Sequence, residues 1–456
     1  MDVKGKNVLV VGLGASGLSM ARWLSRHGAR VRVADSRESP PAIGLLQRDF
    51  PGLRMDTGPF RQASFDQMEL LAMSPGVPLA EPLVQAAIRR GVPAVGDMEL
   101  FAWARARMPQ TRVIGITGSN GKSTVTEMTG ALCRACGADT VVAGNIGLPV
   151  LDALGEIEAA GTGNRPWHFV LELSSFQLET TSTLHADAAT ILNVSEDHLD
   201  RYADMDAYAA AKAKVYEGQG VRVVNRDDVP SRVLAPSGKV ITFGLDEPSH
   251  PDDWGVIRDS GDTWLAHGQD RLLQAKELQV AGLHNVANAL AAMALGHAVD
   301  LPIEPMVSAL RAFRGLAHRV EYVADIGGVS FFDDSKGTNV GATVAALTGL
   351  TQPVVLIAGG DGKGQNFAPL APAVRDKARA VVLIGRDGKL IAEMLKETGV
   401  AVRHAADLKE AVRLSLSLAL PGDAVLLSPA CASFDMFRNY QHRAEVFVAA
   451  VKELVH

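Results

Sequence analysis

The sequence predicts an α/β protein with parallel sheets that are divided among three domains. Two observations lead to this prediction: the chain has 456 residues, and its apolar runs repeatedly end in turns that contain glycine. At about 150 residues per domain, a chain of this length is expected to form about three domains. Near-continuous apolar strands that alternate with helical stretches are typical of parallel sheets covered by helices on both faces.

The composition limits the class of ligand. A net charge of −6 and an aromatic content of 5% argue against a basic groove or a base-stacking platform, so we expect small-molecule ligands and no nucleic acid. Met1–Lys6 leads directly into an apolar strand without the pattern of a signal peptide. No run reaches the roughly 18 apolar residues of a membrane span. We therefore expect a cytoplasmic protein with no membrane span.

The first segment, residues 1–105, begins with a strand, a glycine turn, a helix and a second strand. Gly12–Gly17 reads Gly-x-Gly-x-x-Gly after the apolar run Val8–Val11, and Asp35 ends the second strand. Such glycines let the backbone approach a pyrophosphate, and an acid in the position of Asp35 usually holds a ribose hydroxyl. The pattern leaves two ligands open, a UDP-sugar and NAD, so an NAD-linked oxidoreductase is one alternative function.

A further turn in this segment follows the apolar run Leu70–Met73. Ser74 and Gly76 in this turn are expected at the same edge of the sheet as the glycine turn, where they would add contacts to the ligand. The alternative is an ordinary turn between a strand and a helix.

The second segment, residues 106–314, begins with the most specific motif in the chain. The apolar strand Val113–Ile116 leads into Thr117–Thr124, which reads Thr-Gly-Ser-Asn-Gly-Lys-Ser-Thr. In such a loop the backbone N–H groups converge on phosphate oxygens, Lys122 can reach the β and γ phosphates, and the Ser123 hydroxyl can bind Mg²⁺. The general P-loop pattern has a glycine at the last strand position, so this chain matches a shorter form. The loop predicts nucleotide binding.

Two later strands of this segment end in polar clusters. Glu172 lies within the apolar run His168–Leu173, and His198 follows the run Ala188–Asn193. In an open parallel sheet, ligands bind outside the carboxyl ends of the strands, so both residues are expected to face the nucleotide. Glu172 is a candidate metal ligand, with a structural salt bridge as the alternative. His198 is a candidate for contact with metal or phosphate, with a structural or solvated role as the alternative.

Two other features of the chain carry no functional prediction. Cys133 and Cys136 form a C-x-x-C without the second pair that a zinc site needs, and Cys431 stands alone. We expect Cys133 and Cys136 to lie on the helix after the phosphate loop as small buried residues. Pro248–Gly261 is rich in turn-forming residues, and we expect it to be a surface excursion of the middle domain.

The third segment, residues 315–456, repeats the pattern of apolar strand and polar turn. Its apolar runs are Val354–Gly360, Ala380–Gly385 and Ala424–Pro429. The polar turns are Asp333–Asn339, Asp361–Lys363 and Ser428–Phe434. Cations and hydroxyls are therefore expected to line a crevice at one edge of a parallel sheet. The alternative is that these turns are solvated loop ends.

Together, these motifs resemble those of the Mur ligases, the ATP-dependent amino-acid ligases of bacterial peptidoglycan synthesis. The residues that carry the resemblance are spread over the chain: Thr117–Thr124, Gly144–Gly147, Leu171–Glu179, Asn193–Tyr202, Gly282–Ala289, Gly315–Arg319 and Asp334–Lys336. Within the family, the sequence looks most like the members that add D-glutamate, through Ser174–Glu179, Gly359–Lys363 and Ser428–Ser433. The alternative is a sister ligase that adds a different amino acid.

The resemblance implies a Rossmann-like N-terminal domain for the UDP group, a central P-loop ATPase-type domain and a Rossmann-like C-terminal domain for the amino acid. It implies ATP and Mg²⁺ as cofactors, UDP-N-acetylmuramoyl-L-alanine and D-glutamate as substrates, and a monomer. ATP would convert the L-alanyl carboxylate to an acyl phosphate, which the amine of D-glutamate then attacks. Positioning and charge neutralisation would supply most of the catalysis.

The resemblance also assigns residues to these ligands. The ATP site would comprise Gly118, Asn120, Gly121, Lys122, Ser123, Thr124, Asn285, Arg319 and Asp334, and Lys336 would reach the phosphate and acyl region. The UDP substrate would contact Ser16, Asp35, Ser36, Arg37, Ser74, Gly76 and Asn145. D-glutamate would contact Thr338, Lys363, Ser433, Phe434 and Tyr440, the last of which is usually a phenylalanine in the family.

The final assignment concerns the metal. The resemblance implies that Ser123 helps to hold Mg²⁺ at the ATP phosphates, that Glu172 and His198 help to hold a second metal ion, and that Lys212 is carbamylated by CO₂. A carbamate turns this cation into an anionic oxygen ligand, which a hard cation prefers. The alternative is a solvated helix lysine, as we expect for Lys214. The catalytic residues would then be Lys122, Glu172, His198, Lys212 and Lys336.

Overall fold

A computed structural model of the chain describes residues 2–198, 201–280 and 282–454. The strands in these ranges form three sheets of five, nine and six strands, with helices packed on them. This arrangement confirms the predicted α/β class and the three domains. None of the helices in the described ranges is long and apolar enough to cross a bilayer.

The N-terminal sheet is entirely parallel. Its strands are β1 (Asn7–Val11), β2 (Arg30–Asp35), β3 (Met55–Thr57), β4 (Leu70–Met73) and β5 (Ala94–Val95), in the order β3-β2-β1-β4-β5. Its helices are α1 (Ala15–Arg26), α2 (Ile43–Asp49), α3 (Gln62–Phe65), α4 (Pro82–Arg89) and α5 (Asp97–Arg105). At Gly17 a Cβ atom would lie 2.0 Å from the Gly12 carbonyl oxygen, so only glycine lets α1 pack this closely on the turn after β1.

The middle sheet has nine described strands. They are β6 (Arg112–Thr117), β7 (Asp139–Gly144), β8 (Trp167–Glu172), β9 (Ala188–Ile191), β10 (Val221–Asn225), β11 (Val240–Phe243), β12 (Trp254–Asp259), β13 (Asp262–His267) and β14 (Asp270–Gln274). The order is β14-β13-β12-β11-β10-β9-β6-β8-β7, and the β12–β13 and β13–β14 pairs are antiparallel. The helices are α6 (Lys122–Ala135), α7 (Val150–Ala159), α8 (Ser175–Glu179), α9 (Met205–Ala213), α10 (Val229–Leu234), α11 (Leu283–Ala298) and α12 (Ile303–Ala312).

The prediction of a surface excursion at Pro248–Gly261 is wrong for the second half of that segment. The side chain of Trp254, the first residue of β12, is completely buried. Ser260 and Gly261 have φ angles of +51° and +88° and join β12 to β13. Positive φ at both central residues is typical of a two-residue hairpin turn. Some of the turn-forming residues therefore belong to a hairpin that extends the sheet.

The C-terminal sheet joins strands from both ends of its domain. Its strands are β15 (Glu321–Ile326), β16 (Val329–Asp333), β17 (Val354–Gly359), β18 (Ala378–Ile384), β19 (Ala401–His404) and β20 (Ala424–Leu427), in the order β15-β16-β20-β17-β18-β19. β15 is antiparallel to β16, and the other described pairs are parallel. The helices are α13 (Val340–Gly349), α14 (Leu370–Lys377), α15 (Gly388–Leu395), α16 (Leu408–Leu418) and α17 (Tyr440–Glu453).

The N-terminal and middle domains share one hydrophobic cluster, and each also has a cluster of its own. Buried side chains of α1, α5 and α7 belong to the same cluster, and the ring centres of Phe101 and Phe169 lie 4.8 Å apart across it. The two core clusters of the C-terminal domain contain residues of that domain alone. The first two domains are thus joined by apolar packing, whereas the third meets them through the polar contacts described below.

Of the two cysteines predicted to be buried on the helix after the phosphate loop, the structure confirms Cys133, whereas Cys136 lies just beyond the helix. Cys133 is on α6 and fully buried, and Cys136 follows the last residue of that helix and is partly buried. Burial raises the pKa of the Cys133 thiol to about 12. A thiol with such a pKa is a poor nucleophile at neutral pH.

Candidate functional site

The carboxyl ends of the parallel strands face two cavities. The C-terminal cavity, of about 340 Å³, lies between the middle and C-terminal domains, and its lining includes Asn120, Gly121, Thr124, Asn285, Arg319 and Asp334. The N-terminal cavity, of about 550 Å³, lies between the N-terminal and middle domains, and its lining includes Ser16, Asp35, Ser36, Arg37, Ser74, Gly76 and Asn145. All residues predicted for the UDP substrate therefore line one cavity, and most of those predicted for ATP line the other.

The loop between β6 and α6 is held in shape by Asn193, which follows β9. Asn193 Oδ1 accepts a hydrogen bond from Asn120 N at 2.8 Å, and Asn193 Nδ2 donates one to Asn120 O at 3.1 Å. Gly121 has a φ of +83°, and a Cβ atom there would lie 2.6 Å from Asn288 Oδ1. The loop therefore requires glycine at this position. Because α6 begins directly after it, the N-terminus of that helix favours an anion at the loop.

Lys122, the first residue of α6, folds onto the loop. Its Nζ donates hydrogen bonds to the carbonyl oxygens of Gly118 at 2.7 Å and Ser119 at 2.9 Å. Burial lowers the pKa of the Lys122 amine, while the carboxylates of Glu172 and Asp197 act in the opposite direction. The amine is thus placed at the loop, beside the position that the helix N-terminus makes favourable for phosphate.

Glu172 ends β8 with its carboxylate buried, since the residue is 1% exposed. Its Oε1 accepts a hydrogen bond from Asn145 Nδ2 at 2.8 Å. Its Oε2 is buried and has no hydrogen-bond partner among the described residues. A buried carboxylate oxygen without a partner is costly, and a bound cation would satisfy it. The geometry around Glu172 therefore fits a metal ligand.

Lys212 on α9 is also buried, at 1% exposure, so the alternative of a solvated lysine is wrong. Its Nζ donates a hydrogen bond to Gly118 O at 3.0 Å and lies 4.4 Å from the centre of the Tyr208 ring. Burial lowers the pKa of this amine well below its ordinary value, and the charge of Lys122 acts in the same direction. Lys214, which we expected to be solvated, is partly buried and donates to Glu179 O at 2.9 Å.

His198 packs against an aromatic side chain next to this cluster. The ring centres of His198 and Phe176 lie 4.7 Å apart, and the backbone of His198 has a φ of +57°. Burial lowers the pKa of the imidazole, which favours the neutral form that binds metals. Leu199 and Asp200, which belong to the Asn193–Tyr202 motif, lie outside the described residues.

Polar contacts connect the C-terminal domain to the phosphate loop. Arg319 Nη2 donates a hydrogen bond to Ser123 Oγ at 2.8 Å. Asn339 Nδ2 donates one to Asn120 Oδ1 at 3.1 Å. Two residues predicted for the ATP site from different domains, Ser123 and Arg319, are thereby brought into direct contact.

Asp197 forms an ion pair across the same boundary. Its Oδ1 lies 3.4 Å from Lys363 Nζ, and its Oδ2 lies 3.6 Å from His198 Nε2. Burial acts to raise the pKa of Asp197, but the charges of Lys363, His198 and Lys122 hold it below its ordinary value. A residue predicted for D-glutamate, Lys363, therefore lies close to the predicted metal ligand His198.

Asp334 follows β16 and is buried at the edge of the C-terminal cavity. Its Oδ2 accepts a hydrogen bond from Ser428 Oγ at 2.6 Å. Burial raises the pKa of this carboxyl group to about 7.

Two amides of α11 also line this cavity. Asn288 Nδ2 donates a hydrogen bond to Asn285 Oδ1 at 3.1 Å, so the two side chains face the cavity as a pair.

The turn that carries Lys336 is held by α17. Lys336 Nζ lies 3.8 Å from the centre of the Tyr440 ring, and burial lowers the pKa of the amine to about 8. The Tyr440 carbonyl oxygen accepts a hydrogen bond from Ser335 Oγ at 2.8 Å. The fully buried Arg443 donates from Nε to Ser335 Oγ at 3.0 Å and from Nη2 to Ser335 O at 2.8 Å. Two residues of α17 thus hold the backbone between Asp334 and Lys336.

The residues predicted for D-glutamate do not line one common cavity. Lys363 faces Asp197, whereas Tyr440 lies under Lys336. Ser433 is 3% exposed, but the next side chain, Phe434, is 74% exposed. Thr338, Ser433, Phe434 and Tyr440 are absent from the lining of both cavities. Of these five residues, Lys363 is the one that contacts the middle domain, through Asp197.

Three residues that shape the site have no assigned role in the sequence-based predictions. Asn288 lies three residues after Asn285 on the same helix, and that spacing was a usable signal because such residues share a helix face. Asn339 caps α13 and ends the turn that also holds Lys336. Arg443 has no local signal, since it is one arginine in an ordinary amphipathic helix.

Three domain families match consecutive parts of the chain. The family described as Mur ligase MurD-like, N-terminal domain, matches residues 6–96. The Mur ligase middle domain matches residues 116–296, and the family described as Mur ligase, glutamate ligase domain, matches residues 318–431.

Two relatives are similar over the whole chain. The UDP-N-acetylmuramoylalanine--D-glutamate ligase of Methylobacillus flagellatus is 58% identical over 455 residues, which cover 100% of this chain and 98% of that protein. The protein of the same name from Nitrosospira multiformis is 57% identical over 461 residues, which cover 100% of this chain and 97% of that protein.

Solved structures share the fold at lower identity. UDP-N-acetylmuramate-alanine ligase MurC from Thermotoga maritima superposes with a TM-score of 0.62 at 20% identity, covering 98% of this chain and 99% of that one. MurF from Acinetobacter baumannii superposes with a TM-score of 0.63 at 18% identity, covering 99% of this chain and 91% of that one. These likenesses show a common three-domain fold.

Proposed function

Since the chain belongs to the Mur ligase family, we infer that it joins D-glutamate to UDP-N-acetylmuramoyl-L-alanine, with ATP as the phosphoryl donor, in peptidoglycan precursor synthesis. The observation that carries this inference is the identity of 58% and 57%, over essentially the whole chain, to two ligases named for this reaction. The match of residues 318–431 to a glutamate ligase domain supports the same amino acid. The sister ligase and the NAD-linked oxidoreductase have no comparable support.

We propose that the phosphates of ATP bind along Gly118–Thr124 at the N-terminus of α6. The backbone N–H groups of the loop and Lys122 would neutralise the phosphate charge. The nucleoside would occupy the C-terminal cavity, whose lining includes Asn285, Arg319 and Asp334. The Arg319–Ser123 hydrogen bond supports this placement, because it connects the cavity to the loop.

The donors at the strand ends fit Mg²⁺. Glu172 offers a buried carboxylate oxygen that has no partner within the described residues, and Ser123 offers a hydroxyl at the phosphate loop. We assign Glu172, Ser123 and His198 as metal-holding residues, with Lys212 contributing oxygens as a carbamate. Bound Mg²⁺ would neutralise charge on the phosphates. The burial of Lys212 supports the carbamate, because a neutral amine is the form that adds to CO₂.

The UDP group of the acceptor is assigned to the N-terminal cavity, with contacts from Ser16, Ser36, Ser74 and Gly76. Asp35 contributes indirectly, because its oxygens already accept hydrogen bonds from Leu13 N at 2.6 Å and from Arg37 Nε at 2.8 Å and Nη2 at 2.6 Å. The Arg37 side chain is 53% exposed, so Asp35 orients a guanidinium that can meet the diphosphate. Asn145 lies between this cavity and Glu172 and is assigned to the reacting end of the acceptor.

The reaction then needs two transfers. The acceptor carboxylate attacks the γ-phosphorus of ATP, and ADP leaves. The D-glutamate amine attacks the resulting acyl carbon, inorganic phosphate leaves, and the new amide loses the proton of the amine. Lys122 and Lys336 are assigned to neutralising the charge that shifts between these groups.

D-glutamate is assigned to Thr338, Lys363, Ser433, Phe434 and Tyr440. One cation and several hydroxyl donors suit a ligand with two carboxylates. In this structure Lys363 is paired with Asp197, and its ammonium group has further N–H donors that a carboxylate of D-glutamate could accept from.

Phosphate release from ATP tests the proposed function. We expect turnover with Mg²⁺, UDP-N-acetylmuramoyl-L-alanine and D-glutamate together, and a loss of turnover when any one is omitted. L-glutamate and meso-diaminopimelate serve as matched amino acids and should give no turnover. Equal turnover with either of them would contradict the choice of amino acid while leaving the ligase class intact.

Three further assignments accompany this function. We place the domain boundaries at residues 105/106 and 314/315, between the strands of successive sheets. We propose that the protein works as a monomer in the cytoplasm, where its nucleotide substrates occur. Sedimentation of the purified protein should then give a mass near 48.3 kDa.

A further inference from the structure

Two carboxylates in the first turn of α5 are buried where the N-terminal and middle domains meet. Asp97 is 1% exposed and Glu99 is 4% exposed. Both accept hydrogen bonds from the region of α8, which belongs to the middle domain. Asp97 and Glu99 are therefore matched in burial, in side-chain type and in their place in the first turn of α5. They differ in whether the residues that hydrogen-bond to them line the N-terminal cavity.

Glu99 binds residues that anchor the two domains. Its Oε2 accepts hydrogen bonds from Ser182 N at 2.7 Å and Thr183 N at 2.9 Å, and its Oε1 accepts one from Trp103 Nε1 at 2.9 Å. None of these partners lines the N-terminal cavity. The role of Glu99 is thus to hold α5 on the chain that follows α8.

Asp97 binds residues of the cavity wall. Gln177 Nε2 donates a hydrogen bond to Asp97 Oδ2 at 3.1 Å, and the Ser16 side chain acts on the same carboxyl group, opposing the rise in its pKa that burial causes. Met98 N donates to Asp97 Oδ1 at 3.0 Å. Both Ser16 and Gln177 line the N-terminal cavity. Asp97 therefore connects two parts of that wall, one from α1 and one from α8.

The carboxylate also sets the orientation of the Gln177 amide. Gln177 Oε1 accepts hydrogen bonds from Ser174 N and Ser174 Oγ, both at 3.2 Å, and Ser174 caps α8 two residues after Glu172. The Gln177 amide turns its oxygen toward the Ser174 backbone N–H, which can only donate, and its NH₂ group toward the Asp97 carboxyl group. The opposite orientation would break the cap of α8.

We propose that Asp97 is a positioning residue for the UDP-linked acceptor, which fixes Ser16 and Gln177 on the wall of the N-terminal cavity. The inference rests on the proposed function, which identifies the occupant of this cavity. Through Gln177 and Ser174, the same carboxylate also holds the start of α8 beside the strand end that carries Glu172.

Asp97→Asn tests this role, because it replaces one acceptor oxygen by an NH₂ group that must oppose either the Gln177 NH₂ group or the Met98 N–H, which can only donate. We expect KM for the UDP-linked acceptor to rise about tenfold, with kcat changed less than about threefold and KM for ATP unchanged. Glu99→Gln is the matched control and should lower the melting temperature while leaving the acceptor KM within about twofold. Calorimetry with UDP as the probe should show weaker binding in Asp97→Asn and unchanged binding in Glu99→Gln.

The proposal would be wrong if Asp97→Asn left the acceptor KM and the UDP affinity unchanged, or if Glu99→Gln changed them equally. Asp97 would then have only a structural role. Where Asp97→Asn does not fold, Asp97→Glu keeps the carboxylate but moves it by one methylene, and the same rise in KM is expected. A wild type without D-glutamate-dependent turnover would contradict the proposed function. The UDP titration would still decide whether Asp97 positions the cavity wall.

Discussion

Lys212 combines almost complete burial with a single carbonyl partner for its Nζ, Gly118 O. A buried ammonium with so few partners is costly, so burial favours the neutral amine. A neutral amine next to Glu172 can add to CO₂ and supply an anionic ligand for the metal. Burial thus removes the solvated alternative and makes the carbamate chemically reasonable.

Lys212→Ala should lose most of the activity, by about 100-fold or more, because the anionic ligand is lost. Added acetate should restore part of the turnover by occupying the vacated anionic position. Lys212→Arg is the control that keeps a positive charge and cannot form a carbamate under ordinary conditions. Steady-state phosphate release measures all three, and near-normal turnover by the arginine variant would end the carbamate proposal.

Lys336 gives a prediction for the dependence on pH. Burial lowers its pKa to about 8 from an ordinary value of 10.5, so the folded protein loses this proton at lower pH than the unfolded chain. If the cation neutralises the reacting phosphate, kcat/KM should fall above pH 8 by about tenfold per unit, because kcat/KM reports the titration of the enzyme without bound substrate. Between pH 8 and 10.5, Lys336 is protonated in more of the unfolded chains than of the folded molecules. The contribution of this lysine to the free energy of unfolding therefore rises with pH across this range.

The control is Lys336→Arg, whose guanidinium stays charged across this range. The alkaline fall in kcat/KM should disappear in whatever activity this variant retains. The same fall in the variant would assign the titration to another group.

Residues of the site differ in how far they could be predicted from the sequence. Lys122 and Ser123 follow from the spacing of one turn, so their common position at the phosphate loop was predictable. Arg443 acts on Ser335 from more than 100 positions away, and nothing in its neighbours indicates that contact. Asp97 likewise acquires its partner Gln177 only when α5 packs on the middle domain.

At the scale of elements, apolar runs predicted the parallel strands well, because strands buried on both faces need apolar residues at most positions. The β12–β13 hairpin was missed because turn-forming residues predominate in Pro248–Gly261. Only the first strand of the hairpin lies within that segment. Ser260 and Gly261 form the turn itself, and Trp254 is buried by its place in the sheet. Composition over 14 residues cannot separate a hairpin from a loop when both are rich in turn formers.

The turn between β1 and α1 should bind UDP and not NAD. In a dinucleotide site the acid after the second strand holds ribose hydroxyls, but Asp35 is already bonded to Leu13 N and to the Arg37 guanidinium. Titration calorimetry with each nucleotide measures the difference. Binding of NAD that is tighter than binding of UDP would overturn the assignment of this cavity.

At the scale of the whole molecule, the phosphate loop and the amino-acid site are on different domains. Lys122 belongs to the middle domain. Lys363 belongs to the C-terminal domain and contacts the middle domain through its ion pair with Asp197. The two lysines should therefore affect different kinetic constants. Their contrast tests whether the C-terminal domain delivers the amino acid.

Lys122→Ala should abolish turnover, because the charge of the γ-phosphate is left uncompensated, whereas Lys363→Ala should mainly raise KM for D-glutamate by about tenfold or more. Initial rates over a range of D-glutamate concentrations distinguish the two defects. KM for ATP in Lys363→Ala is the internal control and should stay near the wild-type value. An unaltered KM for D-glutamate in that variant would remove Lys363 from the amino-acid site.

The position of β20 at the centre of the C-terminal sheet has a consequence for the order of events on the ribosome. β20 pairs with both β16 and β17, so without it the sheet consists of two separate pieces. One piece carries the turn with Asp334 and Lys336, and the other leads into the turn with Lys363. Synthesis must therefore pass Leu427 before these turns can meet, and it must reach Arg443 before α17 can hold Ser335. A nascent chain can therefore complete its nucleotide loop long before it can complete the amino-acid site.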